Sequence, residues 1–167
     1  YDVTSGSVCI DGVDVRDLEL DSLRDKIAIV FQDNFLFAGT IRENILLGKE
    51  DATPEEIENA CKMAAVHDFI MTLPDGYKTQ VTALGDNLSA GEKQRIGLAR
   101  AFLRGSELIL LDEPTSNVDS INEGIILKAL KEQKNKKSII LVSHRESTMA
   151  IADRIYKVKE GRMTEAV

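Results

Sequence analysis

Two adjacent carboxylates follow a fully apolar stretch, and they are the residues best placed to do chemistry. Asp112 and Glu113 come directly after Leu108-Ile109-Leu110-Leu111. In open α/β sheets, ligands bind just beyond the carboxyl ends of the strands. Acids buried there are costly unless they hold a metal ion or transfer protons. The sequence therefore predicts a metal or acid–base site here; the alternative is a solvated turn before Pro114.

Two further polar residues follow apolar runs in the same way. His144 comes shortly after the run 139–142, and Gln32 follows the run 26–31. A lone histidine or glutamine at such a place is usually structural. Because parallel strands end at one edge of a sheet, however, we expect both side chains to lie near Asp112 and Glu113.

A helix start at Ser89-Ala90-Gly91-Glu92 allows two interpretations. As a capping box, Ser89 and Glu92 would satisfy each other's backbone N–H groups, and the pattern would be purely structural. The free N–H groups of a helix start with small side chains can also bind an anion such as phosphate. Spacing alone favours neither interpretation.

The elements that would position these residues alternate between strands and helices. Capping boxes that begin at Thr40, Thr53 and Ser120 predict three more helices. The second of these would bury residues 57, 60, 61, 64 and 65 on one face. Apolar runs predict buried strands at 26–31, 107–111 and 138–142, and further strands at 7–10 and 154–158. Buried strands separated by helices indicate a mostly parallel sheet.

Composition and charge exclude several classes of protein. The chain has 167 residues, 43% of them hydrophobic, as in a globular domain. Acids outnumber bases by 28 to 21, which argues against a nucleic-acid-binding protein. No apolar run approaches the length of a membrane span. The two cysteines, Cys9 and Cys61, are expected to be reduced core thiols.

In combination, these motifs resemble the nucleotide-binding domain of ABC transporters, a branch of the P-loop NTPases. The resemblance covers essentially the whole chain, and residues 37–45 are similar to the exporter-type subgroup. The matching stretches, in the family's order, are Gln32 (glutamine loop), Leu88-Ser89-Ala90-Gly91-Glu92 (signature motif), Asp112-Glu113 (Walker B acid and the next glutamate), Ser116-Asn117-Val118-Asp119 (D-loop) and His144 (switch histidine).

The resemblance implies roles for four of these residues in catalysis. Glu113 would act as general base on the attacking water, or orient it. His144 would contact the γ-phosphate of ATP. Asp112 would hold Mg²⁺ through water, and Gln32 would contact both Mg²⁺ and the attacking water while sensing the membrane domain.

The same resemblance implies that other residues act across a dimer. Two nucleotide-binding domains would enclose two ATP molecules in head-to-tail symmetry. Ser89 and Gly91 would then bind the γ-phosphate of the ATP held by the other domain, and Asp119 would bridge the two domains. Ala90 and Glu92 depart from the usual Leu-Ser-Gly-Gly-Gln, and a carboxylate at position 92 would repel the γ-phosphate unless it were turned away as a cap.

The phosphate-binding loop of the family, G-x-x-x-x-G-K-[ST], does not occur in the sequence. The one Gly-Lys pair, Gly48-Lys49, is followed by Glu50, and Glu43 occupies the place of the first glycine. In the family, this loop and its helix lie shortly before a stretch like residues 1–6. We therefore expect the chain to begin just after them.

The expected fold is thus α/β, a P-loop NTPase fold of the ABC ATPase type, with a mostly parallel sheet and a helical subdomain but without the phosphate-loop strand and helix. Residues 1–32 and 105–167 would form the incomplete α/β core, and residues 33–104 the helical subdomain. Without that strand, we expect an unpaired edge around residues 108–111 that makes the chain self-associate.

The expected function is ATP hydrolysis coupled to export, with ATP and Mg²⁺ as ligands. The expected partners are a second nucleotide-binding domain and a transmembrane domain, at the cytoplasmic face of the cell membrane. The 167 residues alone would be inactive. Two alternatives are a soluble ABC ATPase without transport, disfavoured by residues 37–45, and a non-catalytic interaction module, disfavoured by the presence of Glu113 and His144.

Overall fold

The computed structural model describes residues 2–166; Tyr1 and Val167, the outer ends of the predicted core ranges, lie outside it. The helices in this range are α1 Leu20–Lys26, α2 Ile41–Leu46, α3 Pro54–Met63, α4 His67–Thr72, α5 Ala90–Arg104, α6 Ser120–Gln133 and α7 Glu146–Met149. The strands are β1 Cys9–Ile10, β2 Val13–Asp14, β3 Ile27–Val30, β4 Gly39–Thr40, β5 Gln80–Val81, β6 Leu108–Asp112, β7 Ser138–Val142, β8 Tyr156–Lys159 and β9 Arg162–Glu165.

A three-stranded parallel sheet in the order β3-β6-β7 positions the candidate site. The register places Ile29 beside Leu110, and Leu110 beside Ile140. This confirms the predicted parallel sheet. The expected free edge at residues 108–111 is wrong, because β6 pairs on both sides; the outer strands of the described sheet are β3 and β7.

The two faces of this sheet differ in exposure. One face contributes Ala28, Val30, Ile109 and Leu111 to the hydrophobic core. On the other face Ile29, Ile140 and Val142 are each more than half exposed. The predictions of buried strands at 26–31 and 138–142 are therefore wrong for this second face, since an apolar run shows hydrophobicity but not what covers it.

Three of the predicted capping boxes are present and begin their helices. The side chains of Thr40, Thr53 and Ser89 each accept a hydrogen bond from the backbone N–H three residues on, and the glutamate there returns a bond. Residues 57, 60, 61 and 64 are buried as predicted. Ala65 is exposed instead, because α3 has ended and the chain turns with a φ of +52°.

The fourth predicted cap is wrong by one residue. Asp119, not Ser120, caps α6, and its carboxylate accepts hydrogen bonds from the N–H groups of Ile121 and Asn122. Aspartate and serine are comparably good N-caps, so local sequence could not separate them. Glu123, the predicted partner of Ser120 in this capping box, instead pairs with Arg145.

Two other predictions near the chain ends need correction. The predicted last strand at 154–158 is followed by a second strand, and β8 and β9 form an exposed antiparallel hairpin. The predicted buried thiol at Cys9 is exposed, because β1 and β2 form a small separate hairpin, whereas Cys61 is buried.

The longest helix, α5, joins the helical segment to the sheet. It packs against α2, α3 and β3, and its buried residues belong to the same hydrophobic cluster as those of β6. This shared core extends across the predicted domain boundaries at 32/33 and 104/105. Those boundaries stay a prediction. No helix within residues 2–166 combines the length and hydrophobicity that a bilayer span requires.

Candidate functional site

The structure brings Glu113 and His144 together at the carboxyl edge of the sheet. Glu113 directly follows β6, His144 lies just after β7, and the imidazole Nε2 is 2.8 Å from the carboxylate Oε1. Glu113 is buried, whereas 86% of the His144 side chain is exposed. The two atoms are not aligned for a hydrogen bond, so Glu113 Oε1 is a buried acceptor without a donor among residues 2–166.

The backbone of Glu113 is held in an unusual conformation. Its φ of +46° lies in the left-handed region, which costs a non-glycine residue about 1–3 kcal/mol. Its N–H donates to the carbonyl of Val142 at 3.0 Å, and its carbonyl accepts from both the N–H and the Oγ of Ser116. These contacts at the ends of two neighbouring strands direct the carboxylate into the site.

Asp112 and Gln32 lie at the same edge. Asp112 is the last residue of β6, is exposed and pairs in register with Val142. Gln32 lies just beyond β3 and, with Glu113, lines a cavity of about 430 Å³ that also includes Ala90. The structure therefore places the catalytic and metal-binding candidates around one edge, as the strand ends predict.

The edge can accept a magnesium ion together with a phosphate ligand. No group of three or more His, Cys, Asp or Glu side chains within residues 2–166 could enclose a metal on its own. Magnesium at phosphate-transfer sites needs only one or two carboxylates, with substrate oxygens and waters completing its shell. The exposed Asp112 carboxylate and the donor-free Oε1 of Glu113 fit that requirement.

The start of α5 contains the predicted signature residues. The Glu92 carboxylate turns back to accept from the Ser89 N–H at 2.8 Å, so it completes the cap. Gly91 is buried, and a Cβ built on it would lie 2.5 Å from Cγ of Asn122. Only glycine allows this close approach of α6 to the start of α5.

Asn122 also contacts Asp119, so that it joins two predicted motifs. Its Nδ2 donates to Asp119 Oδ2 at 2.6 Å. This bond and the backbone N–H of Asn122 lower the pKa of Asp119 below its usual range. Sequence reasoning missed Asn122, since its only signal was a position inside a predicted capping box.

A partly buried polar network fixes the segment that follows Gln32. Asn34 donates to Gln94 Oε1 at 2.5 Å, and Gln94 Nε2 donates to the carbonyl of Phe31 at 3.3 Å. Arg100 donates to the carbonyls of Asn44 and Phe35, each at 2.7 Å, and burial lowers its pKa to about 10. The segment 33–37 is thus tied to α5, the helix that begins at the signature residues.

A second missed contact lies beside the histidine. The Arg145 guanidinium donates to the carboxylate of Glu123 and, at 3.1 Å, to the carbonyl of Ser116. The pair lies 22 residues apart in the chain. No local pattern could have shown it.

Comparison with known proteins identifies the arrangement. The family model described as ABC transporter matches residues 1–116. The chain belongs to the ABC transporter family. Within that family it is an ATP-binding domain of the exporter type, with the P-loop NTPase fold.

Two relatives of this ABC transporter domain show how much of a longer protein it matches. A Haemophilus influenzae protein named "Probable ABC transporter ATP-binding/permease protein" is 56% identical over 164 residues, which are 98% of this chain and 30% of that protein. A bacterial Atm1-family ABC exporter solved with ATP bound is 39% identical with a TM-score of 0.91, over 99% of this chain and 29% of the exporter chain. The domain thus spans less than a third of either relative.

Proposed function

We propose that this domain hydrolyses ATP to drive export in a longer ABC transporter, at the cytoplasmic face of the membrane. The observation that carries the proposal is the buried Glu113 carboxylate, which a strained turn places 2.8 Å from His144 at the carboxyl edge of the sheet. Strain of this kind persists only where surrounding contacts enforce it, and it clusters at functional sites. The permease part named in the Haemophilus influenzae relative supports a transporter over a soluble ATPase.

The residues at the sheet edge divide the chemistry among them. Glu113 takes the proton of the attacking water as general base, or orients that water. His144, exposed beside it, contacts the γ-phosphate. Asp112 and Gln32 would hold Mg²⁺, and Gln32 would also contact the attacking water. When bound, Mg²⁺ neutralises the negative charge of the phosphates.

The signature residues act on a second nucleotide. The start of α5 exposes Ser89 and holds Gly91 beneath Asn122, at the positive end of a 15-residue helix. A second nucleotide-binding domain in head-to-tail symmetry brings its own ATP to this helix start, which binds the γ-phosphate. Asp119 bridges the two domains. Its neighbour Asn122 touches Gly91, so the bridging residue and the phosphate-binding residues are mechanically linked.

The transmembrane part docks on an aromatic groove beside the glutamine loop. Phe31, Phe35, Phe37 and Leu47 are each more than half exposed and line a cavity of about 340 Å³. Exposed aromatic clusters of this kind mark protein contact sites. The groove begins one residue before Gln32, so that a docked segment can influence a residue that contacts Mg²⁺ and water.

The direct test is ATP hydrolysis by the full-length protein in lipid, with Glu113→Gln beside the wild type. We expect hydrolysis to fall about 10²–10⁴-fold, the usual contribution of a general base, while ATP binding is retained. Glu132→Gln, the same change on the exposed side of α6, is the matched control and leaves turnover unchanged. Turnover of Glu113→Gln within a few-fold of the wild type would contradict the role of Glu113.

A further inference from the structure

The turn that carries Glu113 is stabilised by contacts on two sides. On one side, its N–H bonds to the last residue of β7, Val142. On the other side, its carbonyl is bonded by Ser116, whose own carbonyl accepts from Arg145 Nη2 at 3.1 Å. A left-handed φ at a buried glutamate needs such contacts, because the backbone alone disfavours it.

Arg145 is itself fixed at both its backbone and its side chain. The backbone N–H donates to Ser143 Oγ at 3.1 Å, and the carbonyl lies 2.7 Å from the hydroxyl of the buried Thr148. The guanidinium forms an ion pair with Glu123, whose side chain is only 12% exposed and also accepts from Ser147. This arginine therefore has few alternative positions.

These contacts close a ring around the two catalytic candidates. From Glu113 the ring passes through Ser116 to the guanidinium of Arg145, along the backbone past His144 to Val142, and back to the N–H of Glu113. The side chain of His144 is largely exposed, and its one polar contact within the described chain is Glu113. Its position therefore depends on the backbone on either side of it.

We propose that Arg145 is a positioning residue for ATP hydrolysis, which it serves by holding the histidine segment against the Glu113 turn. Glu123 is its anchor on α6, and the carbonyl of Ser116 is its contact on the D-loop. The inference rests on the proposed function, because it explains how the catalytic pair His144 and Glu113 is held in its relative position. Arg145 touches neither reacting atoms nor, in this role, ATP.

The expected signature is a loss in turnover rather than in ATP affinity. Displacement of a catalytic group by about 1 Å can lower the rate by about 100-fold. Arg145→Ala in the full-length protein should lower kcat about 10- to 100-fold, with KM for ATP changed less than about threefold. Arg145→Lys keeps a cation that can reach one of the two acceptors, and it should restore part of the rate.

A purely structural role predicts a different pattern. Arg145→Ala leaves the largely buried Glu123 carboxylate without its cation, which lowers stability. Adding Glu123→Ala removes that charge and should recover melting temperature, yet kcat should stay as low as in Arg145→Ala. Arg154→Ala is the matched control, because it removes an Arg–Glu pair from the exposed β8–β9 hairpin. Its turnover should equal that of the wild type.

Each result separates this inference from the proposed function. A wild type without ATP hydrolysis contradicts the proposed function itself. If the wild type hydrolyses ATP and Arg145→Ala keeps its kcat, only the positioning role is overturned. Recovery of kcat together with melting temperature in the double variant also overturns it. If Arg145→Ala does not fold, the test uses Arg145→Lys and Glu123→Gln instead. A kcat equal to that of the wild type in both variants would refute the positioning role of Arg145.

Discussion

His144 Nε2 and Glu113 Oε1 lie 2.8 Å apart although 31 positions separate the two residues in the sequence. Their closeness follows from the parallel pairing of β6 with β7, which aligns Asp112 with Val142, so that both strands end at the same edge of the sheet. In this position the histidine and the glutamate can act on one water and one phosphate. We expect them to work as a unit.

The first prediction concerns this pair. His144→Ala and Glu113→Gln should each lower ATP hydrolysis strongly, and the double variant should be no slower than the slower single one, because residues that act as a unit are not additive. Steady-state kcat of the four proteins measures this. His67→Ala is the control, since His67 bonds to Tyr77 on the helical segment. A double variant slowed by the product of the two single effects would show that the residues act independently.

The second prediction concerns Glu92, which the structure places in the cap of α5. Glu92→Gln should change the melting temperature little, because glutamine also completes a capping box. Glu92→Ala should lower the melting temperature more, because the Ser89 N–H then loses its acceptor. If the carboxylate repels the γ-phosphate despite its turn toward Ser89, Glu92→Gln will also lower the KM for ATP. A KM that rises instead would contradict such repulsion.

The third prediction uses the contact between Gly91 and Asn122. Gly91→Ala should destabilise the start of α5, since the new Cβ would meet Asn122 Cγ at 2.5 Å. Adding Asn122→Ala should recover much of the loss in melting temperature. Gly124→Ala is the control, because that glycine is exposed in α6 with nothing within 4 Å. It should stabilise the helix by about 1 kcal/mol. A Gly91→Ala protein as stable as the wild type would disprove the steric role.

Sequence alone predicted the parts of the structure that depend on neighbours in the chain. The capping boxes at Thr40, Thr53 and Ser89 are decided within four residues, and all three formed. The strand β9 was missed because Arg162-Met163-Thr164-Glu165 has one large apolar residue and is fully exposed. Its pairing with β8, rather than its hydrophobicity, makes it a strand.

The candidate site was predicted as a shared edge but not as a network. The strand ends placed Asp112, Glu113 and His144 together, because parallel strands end at one edge. The contact of Arg145 with Glu123 depends on how α6 and α7 pack. The positive φ of Glu113 depends on bonds from Val142 and Ser116. Such long-range contacts leave no spacing pattern in the chain.

The fourth prediction tests the aromatic groove. In the full-length protein, Phe37→Ala should lower the amount of substrate transported per ATP hydrolysed. Phe37 and Phe35 stack edge-to-face with ring centroids 4.9 Å apart. They lie on the surface that we propose receives the membrane part. Transport and hydrolysis measured on the same vesicles give this ratio. Met71→Ala, an equally exposed apolar residue on α4, is the control. An unchanged ratio in Phe37→Ala would place the docking surface elsewhere.

The fifth prediction concerns the 167 residues studied alone. We expect them to self-associate at micromolar concentration through β7 and the sheet face that exposes Ile140 and Val142. Light scattering over a concentration series measures this. Ile140→Lys should weaken the association, whereas Ile121→Lys, on an equally open surface of α6, should not. A monomer at all concentrations with a cooperative melt would show that this face is stable in water.

The two cysteines differ in a way that makes the protein convenient for spectroscopy. Burial raises the pKa of the Cys61 thiol to about 11, so almost none of it is the reactive thiolate at neutral pH. Cys9 is exposed in the first hairpin. Of these two thiols, a maleimide dye will therefore attach at Cys9. In the proposed head-to-tail dimer, dyes on the two Cys9 thiols would report the distance between the two hairpins by energy transfer.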